Sequence, residues 1–182
     1  YRAAAILLGK EIARRGHVLL YGGGKLGLMG VLADSVLENG GRVVGIITNH
    51  LYTLEAHHGL SDLQVVETMQ ERKVNMINQA DLFLALPGGL GTLEEIFEVW
   101  NAAKIGLHKK SIGLLNINKY YDKLTQFIDF MIDEAFLKES ARALISVDGD
   151  LIRLLDCLLS KKNEDEFESQ LDGHAVIRSL RK

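Results

Sequence analysis

Two glycine-rich segments and one basic pair carry the residue types that can handle a phosphorylated ligand. The first is Tyr21-Gly22-Gly23-Gly24-Lys25-Leu26-Gly27-Leu28-Met29-Gly30, which follows a short β-rich run and opens a helical pattern. Its Gly22-x-Gly24-x-x-Gly27 spacing fits the dinucleotide loop, where residues without Cβ let backbone N–H groups approach a phosphate at a helix N-terminus. The rest of that fingerprint is missing. The next strand ends Ile46-Ile47-Thr48-Asn49 and offers no acidic residue for a ribose 2′-hydroxyl. A Walker loop fails as well, because Lys25 is followed by Leu26 rather than Ser or Thr. Two readings stay open for Gly22, Gly23 and Gly24: phosphate or ribose binding without a dinucleotide, or a tight βα turn that merely packs closely.

The second segment is Pro87-Gly88-Gly89-Leu90-Gly91-Thr92-Leu93-Glu94-Glu95, again at a strand end and again opening a helix. Consecutive glycines present N–H donors, Thr92 adds a hydroxyl, and the helix dipole favours negative charge. A 5′-phosphate suits that loop. The competing reading is a capping box, Thr92-x-x-Glu95, in which Glu95 bonds back to the Thr92 amide. A further box, Thr68-Met69-Gln70-Glu71, puts Arg72 and Lys73 near a helix start, where cations are electrostatically disfavoured unless an anion is held nearby. Loops at the carboxyl ends of parallel strands gather on one edge, so donors, a cation and a carboxylate are expected to meet in one crevice. That is equipment for hydrolysing a bond in a phosphorylated substrate.

Weaker signals are set aside on chemistry. Glu55-Ala56-His57-His58 places adjacent histidines on a loop with no further ligand spacing, so no metal is expected. His108 reads as a structural or interface histidine. Lys73 is a conceivable Schiff-base lysine, but no pattern marks a pyridoxal pocket, and no cofactor is expected.

The elements that must position these residues alternate along the chain. Strands are expected at 17–21, 42–47, 63–66, 81–86, 111–115 and 144–147, and helices near 28–39, 69–79, 93–104, 119–134 and 148–160. Such alternation implies crossover connections and a mostly parallel sheet covered on both faces. Ile96, Val99, Trp100 and Ala103 are expected to form one buried stripe, and Leu124, Ile128, Met131 and Ala135 another. Residues 1–15 read as an amphipathic helix with no strand before it, which suggests that a first strand and its loop are absent from this sequence. Residues 1–160 are expected to form a single domain, and 161–182 a charged, solvated tail.

Composition agrees with a globular domain. The chain has 182 residues, 47% apolar and 25% charged, with a net charge of −3. An acidic balance without a basic run argues against a general nucleic-acid or anionic-membrane surface. No apolar stretch reaches 18 residues and no basic segment followed by an apolar run opens the chain, so neither a membrane span nor a signal peptide is expected. The single cysteine, Cys157, is expected as a buried structural thiol in a reducing cytoplasm. Of 18 glycines, eight lie in the two loops, and the lone proline, Pro87, immediately precedes the second.

The motif pair is more specific than any of these features. Met69-Gln-Glu-Arg72-Lys73-Val-Asn-Met76 followed by Pro87-Gly-Gly-Leu-Gly-Thr-Leu-Glu-Glu95 resembles the MxxRKxxM and PGGxGTxxE signatures of the LOG (LONELY GUY) family. Members are cytokinin riboside 5′-monophosphate phosphoribohydrolases, often mislabelled lysine decarboxylases. Tyr21 to Gly30 is similar to the family's YGGGxxGLMG segment, and Gly106-Leu-His108 through Tyr120-Tyr121 to its GxHxKPxGLLNxxxYY region. Ser111 stands where the family usually has Pro, and Trp100-Asn101-Ala102 departs from its usual sequence.

The resemblance implies a Rossmann-like three-layer α/β/α fold and a homodimer or larger assembly. It also implies hydrolysis of the N-glycosidic bond of adenine-type nucleoside 5′-monophosphates to free base and ribose 5-phosphate. It makes Arg72 and Glu95 the catalytic pair and gives the phosphate to the loop Gly88, Gly89, Leu90, Gly91 and Thr92. Met69, Lys73, Leu93 and Glu94 fall in substrate-facing stretches, and Glu55 matches a family glutamate. A non-catalytic nucleotide-binding or carrier protein on the same fold is the alternative.

Overall fold

A computed structural model describes residues 1–161, so the tail expected at 161–182 lies, past its first residue, outside the described residues. The alternating pattern folds as α1 (Arg2–Arg14), β1 (Val18–Tyr21), α2 (Gly27–Glu38), β2 (Arg42–Thr48), α3 (Asn49–Glu55), β3 (Asp62–Val66) and α4 (Met69–Gln79). After these come β4 (Leu82–Ala85), α5 (Leu90–Lys104), β5 (Ser111–Leu115), a 3-10 turn (Ile117–Lys119), α6 (Asp122–Asp133), α7 (Glu139–Arg142) and β6 (Ile145–Asp148). A last helix, α8, occupies 151–161. The chain divides into two compact units, Tyr1–Ala80 and the part from Asp81 onward.

The first unit holds a parallel sheet in the order β1-β2-β3, with Leu20 opposite Val44 and Ile47 opposite Val65. Its central strand β2 is buried from Val43 to Thr48, which is why it reads as a continuous β-branched run rather than an alternation. Val43, Ile46 and Ile47 are fully inaccessible, and each such side chain contributes roughly 1.5–3 kcal/mol of apolar transfer. Helices α1 and α2 meet closely because Gly9 leaves room for Ser35, whose hydroxyl donates to the Ile6 carbonyl at 2.8 Å.

The second unit repeats the plan with a parallel sheet β4-β5-β6, in which β5 is buried along its whole length. Leu154 and Leu158 of α8 cover it, with Gly113 making space for Leu158. On α5, Ile96, Val99 and Trp100 are buried as expected and Ala103 is half-buried. The Trp100 indole N–H donates to the Ala141 carbonyl at 2.8 Å, tying α5 to α7.

Parallel strands joined by helical crossovers place the βα loops of each unit at the carboxyl ends of its strands. The loop after β1 carries Gly22 to Leu26, that after β3 leads into Arg72, and that after β4 is Leu86 to Gly89. Among the described residues no helix is long and apolar enough to cross a membrane.

Several expectations are corrected. The fourth helix starts at Asp122 rather than 119, because Asn118 and Lys119 adopt left-handed φ of 52° and 60° that no helix continues through. Of its expected stripe only Ile128 is buried, and Ala135 lies past the helix end at φ 61°. Cys157 is exposed, because α8 turns Leu154, Leu155 and Leu158 inward and leaves 156 and 157 on the outer face. Helices α3 and α7 were not expected. Neither has a strong apolar stripe: α3 buries no residue and α7 buries only Ala141.

Candidate functional site

The expected site residues form two groups, one in each unit. In the first unit α4 begins at Met69 behind the N-cap Thr68, whose hydroxyl accepts from the Glu71 N–H at 3.1 Å. The expected capping box is modified, since the Glu71 carboxylate accepts from the N–H of Glu67, one residue before the cap. This start fixes Arg72 one turn into the helix with its side chain turned inward, 7% exposed. Arg72 Nε donates to the Ile46 carbonyl at 2.9 Å, and Nη1 lies 3.2 Å from the Met69 sulfur. Lys73 is half-buried beside it.

The first glycine loop is shaped around that guanidinium. A Cβ at Gly22 would collide with Arg72 Nη2, and one at Gly23 would press on Ile47 and Leu63 at φ 76°. At Gly24 the neighbours are Met29 and the Glu55 carboxylate, 3.7 Å away. Backbone bonds fasten this loop to the segment after α3: Lys25 N–H to the Glu55 carbonyl and His57 N–H to the Gly23 carbonyl, both 2.9 Å. Gly22, Gly23, Gly24, Glu55, Met69 and Arg72 are therefore brought together within one unit. Close packing explains each of the three glycines.

Three residues that sequence reasoning did not assign support this group. The Gly59 N–H donates to His57 Nδ1 at 3.2 Å, which leaves the proton on Nε2 to bond Asp34 Oδ1 at 2.9 Å. The pair latches the Glu55 segment to α2. Tyr21, at the end of β1, keeps a buried hydroxyl without a hydrogen-bond partner, and burial first, then the nearby Asp34 charge, pushes its pKa up. Periodicity carries no signal for such side chains, because their roles depend on what lies opposite them. Among the described residues no three His, Cys, Asp or Glu side chains are grouped to hold a metal ion.

In the second unit α5 starts at Leu90 with Gly89 as N-cap and no side-chain cap. This overturns the Thr92-x-x-Glu95 capping box, since Thr92 is already the third helical residue and Glu95 the sixth. The N–H groups of Leu90, Gly91 and Thr92 precede the first intrahelical bond, made by Leu93 to the Gly89 carbonyl at 3.1 Å. Thr92 folds its side chain back over Gly88, where a Cβ would collide with its hydroxyl. Gly89, Leu90 and Gly91 are exposed, and Leu93 is half-buried. Glu95 is half-buried and Glu94 exposed.

The loop is braced by residues noted in the sequence only as matching letters. The Tyr121 hydroxyl donates to the Leu86 carbonyl at 2.6 Å and the Tyr120 hydroxyl to the Gly88 carbonyl at 2.7 Å. His108 is structural, as expected: Nδ1 accepts from the Lys110 N–H, so Nε2 donates to the Val99 carbonyl at 3.0 Å. Burial pulls its pKa down, the Val99 bond opposes this, and nearby Lys110 adds to the lowering.

Comparison with known proteins agrees with the motifs. A family model described as "Possible lysine decarboxylase" matches residues 29–158. A probable cytokinin riboside 5′-monophosphate phosphoribohydrolase of Oryza sativa subsp. japonica is 45% identical over 146 residues, 80% of this chain and 69% of that protein. The phosphoribohydrolase named LOG from the same organism is also 45% identical over 146 residues, but the chain spans only 60% of its length. An Arabidopsis thaliana phosphoribohydrolase is 44% identical over 180 residues, 98% of this chain and 83% of that one. Among solved structures, the molybdenum cofactor binding protein of Rippkaea orientalis gives a TM-score of 0.66 at 21% identity, covering 87% of this chain and 86% of that chain. The molybdenum cofactor carrier protein of Chlamydomonas reinhardtii gives 0.65 at 23%, covering 87% and 88%. These two likenesses establish a shared Rossmann-like α/β fold. With both motifs in place and identity above two-fifths over most of its length, the chain belongs to the LOG family, the group of cytokinin riboside 5′-monophosphate phosphoribohydrolases.

Proposed function

We propose that the chain hydrolyses the N-glycosidic bond of adenine-type nucleoside 5′-monophosphates, N6-prenylated ones included, and releases free base and ribose 5-phosphate. The observation that carries this reading is the uncapped start of α5 directly behind Pro87-Gly88-Gly89, in a chain 44–45% identical to phosphoribohydrolases. A helix start with open N–H donors and the positive end of its dipole suits a phosphate dianion. Glu95 is the sixth residue of α5, half-buried and beyond the N-cap position.

In this reading the departing base leaves positive charge on the ribose C1′. The Glu95 carboxylate stabilises that oxocarbenium-like state and activates water. Arg72 orients the ribose hydroxyls by paired donation, a geometry that Lys cannot reproduce. Its guanidinium is already fixed at one edge by Ile46, so orientation needs little further ordering. Gly88 to Thr92 receive the 5′-phosphate, and Glu55, Lys73 and Glu94 line the substrate.

The test is release of base from AMP and from N6-prenylated AMP, followed by chromatography. Glu95→Gln keeps size and polarity but removes charge, and is expected to lower kcat by about 10²–10⁴-fold. Near-normal release by that variant would refute the role of Glu95. Nucleotide binding without any release by the wild type would leave the carrier reading in its place.

A further inference from the structure

In the loop between β4 and α5 the carbonyls of Leu86 and Gly88, on either side of the buried Pro87, are each taken by a tyrosine hydroxyl. Tyr121 is 1% exposed and bonds Leu86, while the half-open Tyr120 bonds Gly88. Their rings meet edge to face, with centroids 5.1 Å apart. The pair is itself fixed from behind. Asn116 at the end of β5 accepts from the Tyr121 N–H at 2.7 Å, donates to Asp122 at 2.8 Å, and through its own N–H bonds the Asp148 carbonyl at 2.8 Å. Between Asn116 and Tyr120 the backbone passes through two consecutive left-handed residues, Asn118 and Lys119. A lysine in that conformation is uncommon, and such turns persist where the surroundings over-determine them.

What the two bonds do follows from peptide geometry. In a planar trans peptide the N–H points opposite to the C=O. Holding the Gly88 carbonyl on Tyr120 therefore aims the Gly89 N–H away from the tyrosine. Without that bond the Gly88–Gly89 peptide is free to rotate, since two adjacent glycines accept either orientation with little steric penalty. The flipped peptide would present a carbonyl oxygen to an anion, where repulsion replaces attraction. Leu86 differs, because the nitrogen that follows it is that of Pro87 and has no hydrogen. Its bond to Tyr121 anchors the root of the loop rather than aiming a donor. Tyr121 remains a donor at any working pH, since burial, and then the adjacent Tyr120, pushes its pKa up to about 12.

We infer that Tyr120 is a positioning residue for phosphate recognition: its hydroxyl locks the Gly88–Gly89 peptide with the N–H outward, so that the loop offers only donors to the 5′-phosphate. This rests on the proposed reading that the loop receives a phosphate. It adds a specificity device that acts on phosphorylated ligands alone.

Tyr120→Phe removes only the hydroxyl from a half-exposed ring, so the fold is expected to survive, and a melting curve checks this. Calorimetry with ribose 5-phosphate is expected to show about ten-fold weaker binding by Tyr120→Phe, with free adenine bound as by the wild type. In kinetics, KM for AMP rises by a similar factor while kcat is nearly unchanged. Tyr120→Met, which is apolar and has no donor for the carbonyl, is expected to behave like Tyr120→Phe. Equal affinity of wild type and Tyr120→Phe for ribose 5-phosphate would overturn the inference. So would weakening toward adenine and ribose 5-phosphate alike, or absence of ribose 5-phosphate binding by the wild type. A wild type that binds ribose 5-phosphate but releases no base overturns the hydrolase reading alone and leaves the peptide lock standing.

Discussion

Arg72 and Gly22 show how a single missing methyl group can matter to chemistry. The Cβ of any larger residue at position 22 would occupy the place of Nη2, but that atom ends a long, rotatable side chain. The guanidinium will move before the backbone does. Gly22→Ala is therefore expected to cost about 1.5–3 kcal/mol, the net worth of the charged guanidinium's hydrogen bond to Ile46. Displacing a positioned catalytic group is far more damaging, and kcat/KM for AMP is expected to fall by about 10²-fold. Melting curves and base-release kinetics on one preparation separate the two effects, and wild-type turnover would remove Arg72 from the catalytic assignment. Ser111 illustrates the opposite case. Its buried hydroxyl has no hydrogen-bond partner, and it stands first in β5, a strand position that also tolerates the Pro usual in the family. Nothing in the fold demands serine there.

At the scale of elements, helix starts decide where the functional side chains point. Helix α4 was legible from Thr68-x-x-Glu71, and its bounds agree with the expected 69–79. Thr68→Ala removes the acceptor for the Glu71 N–H and is expected to destabilise by about 1 kcal/mol in a urea titration. The same letters misled at Thr92-x-x-Glu95, because a capping box depends on φ/ψ at the first residue and not on spacing alone. Two glycines before Leu90 let the helix begin earlier, and Thr92 became part of its first turn. The extent of α6 was likewise misjudged at its start, where apolar spacing continued through a left-handed turn that only the Asn116 bonds reveal.

Over the whole molecule, each of the two α/β units carries one of the glycine loops, and stability follows from burial in each. His108 offers a handle on the second. Its folded-state pKa lies below the ordinary 6.5, chiefly through burial, so between these values the unfolded chain binds more protons than the folded one. Stability is thus retained above about pH 6.5 and lost as pH falls below it. Chemical denaturation of wild type between pH 7.5 and 5 is expected to show that decline. His108→Gln, which has no proton to gain, should flatten the slope. An unchanged slope would exclude His108 as its source. The net charge of −3 and the absence of a basic run agree with a small phosphorylated ligand rather than a polyanion.

The sequence by itself determined the class of fold, all six strands, most helices and the two glycine loops, because hydrophobic period and chain breakers are local properties. Motif letters also marked Arg72 and Glu95. Only the tertiary structure decided what those letters do in three dimensions. It assigned Gly22 to the Arg72 guanidinium, turned Cys157 outward, put Thr92 inside α5 rather than at its cap, and set Tyr120 and Tyr121 on the carbonyls around Pro87. Each of these depends on which atoms lie opposite one another across elements more than 25 residues apart in the chain, or on the φ/ψ of one residue at a helix start. Neither quantity is written in local spacing.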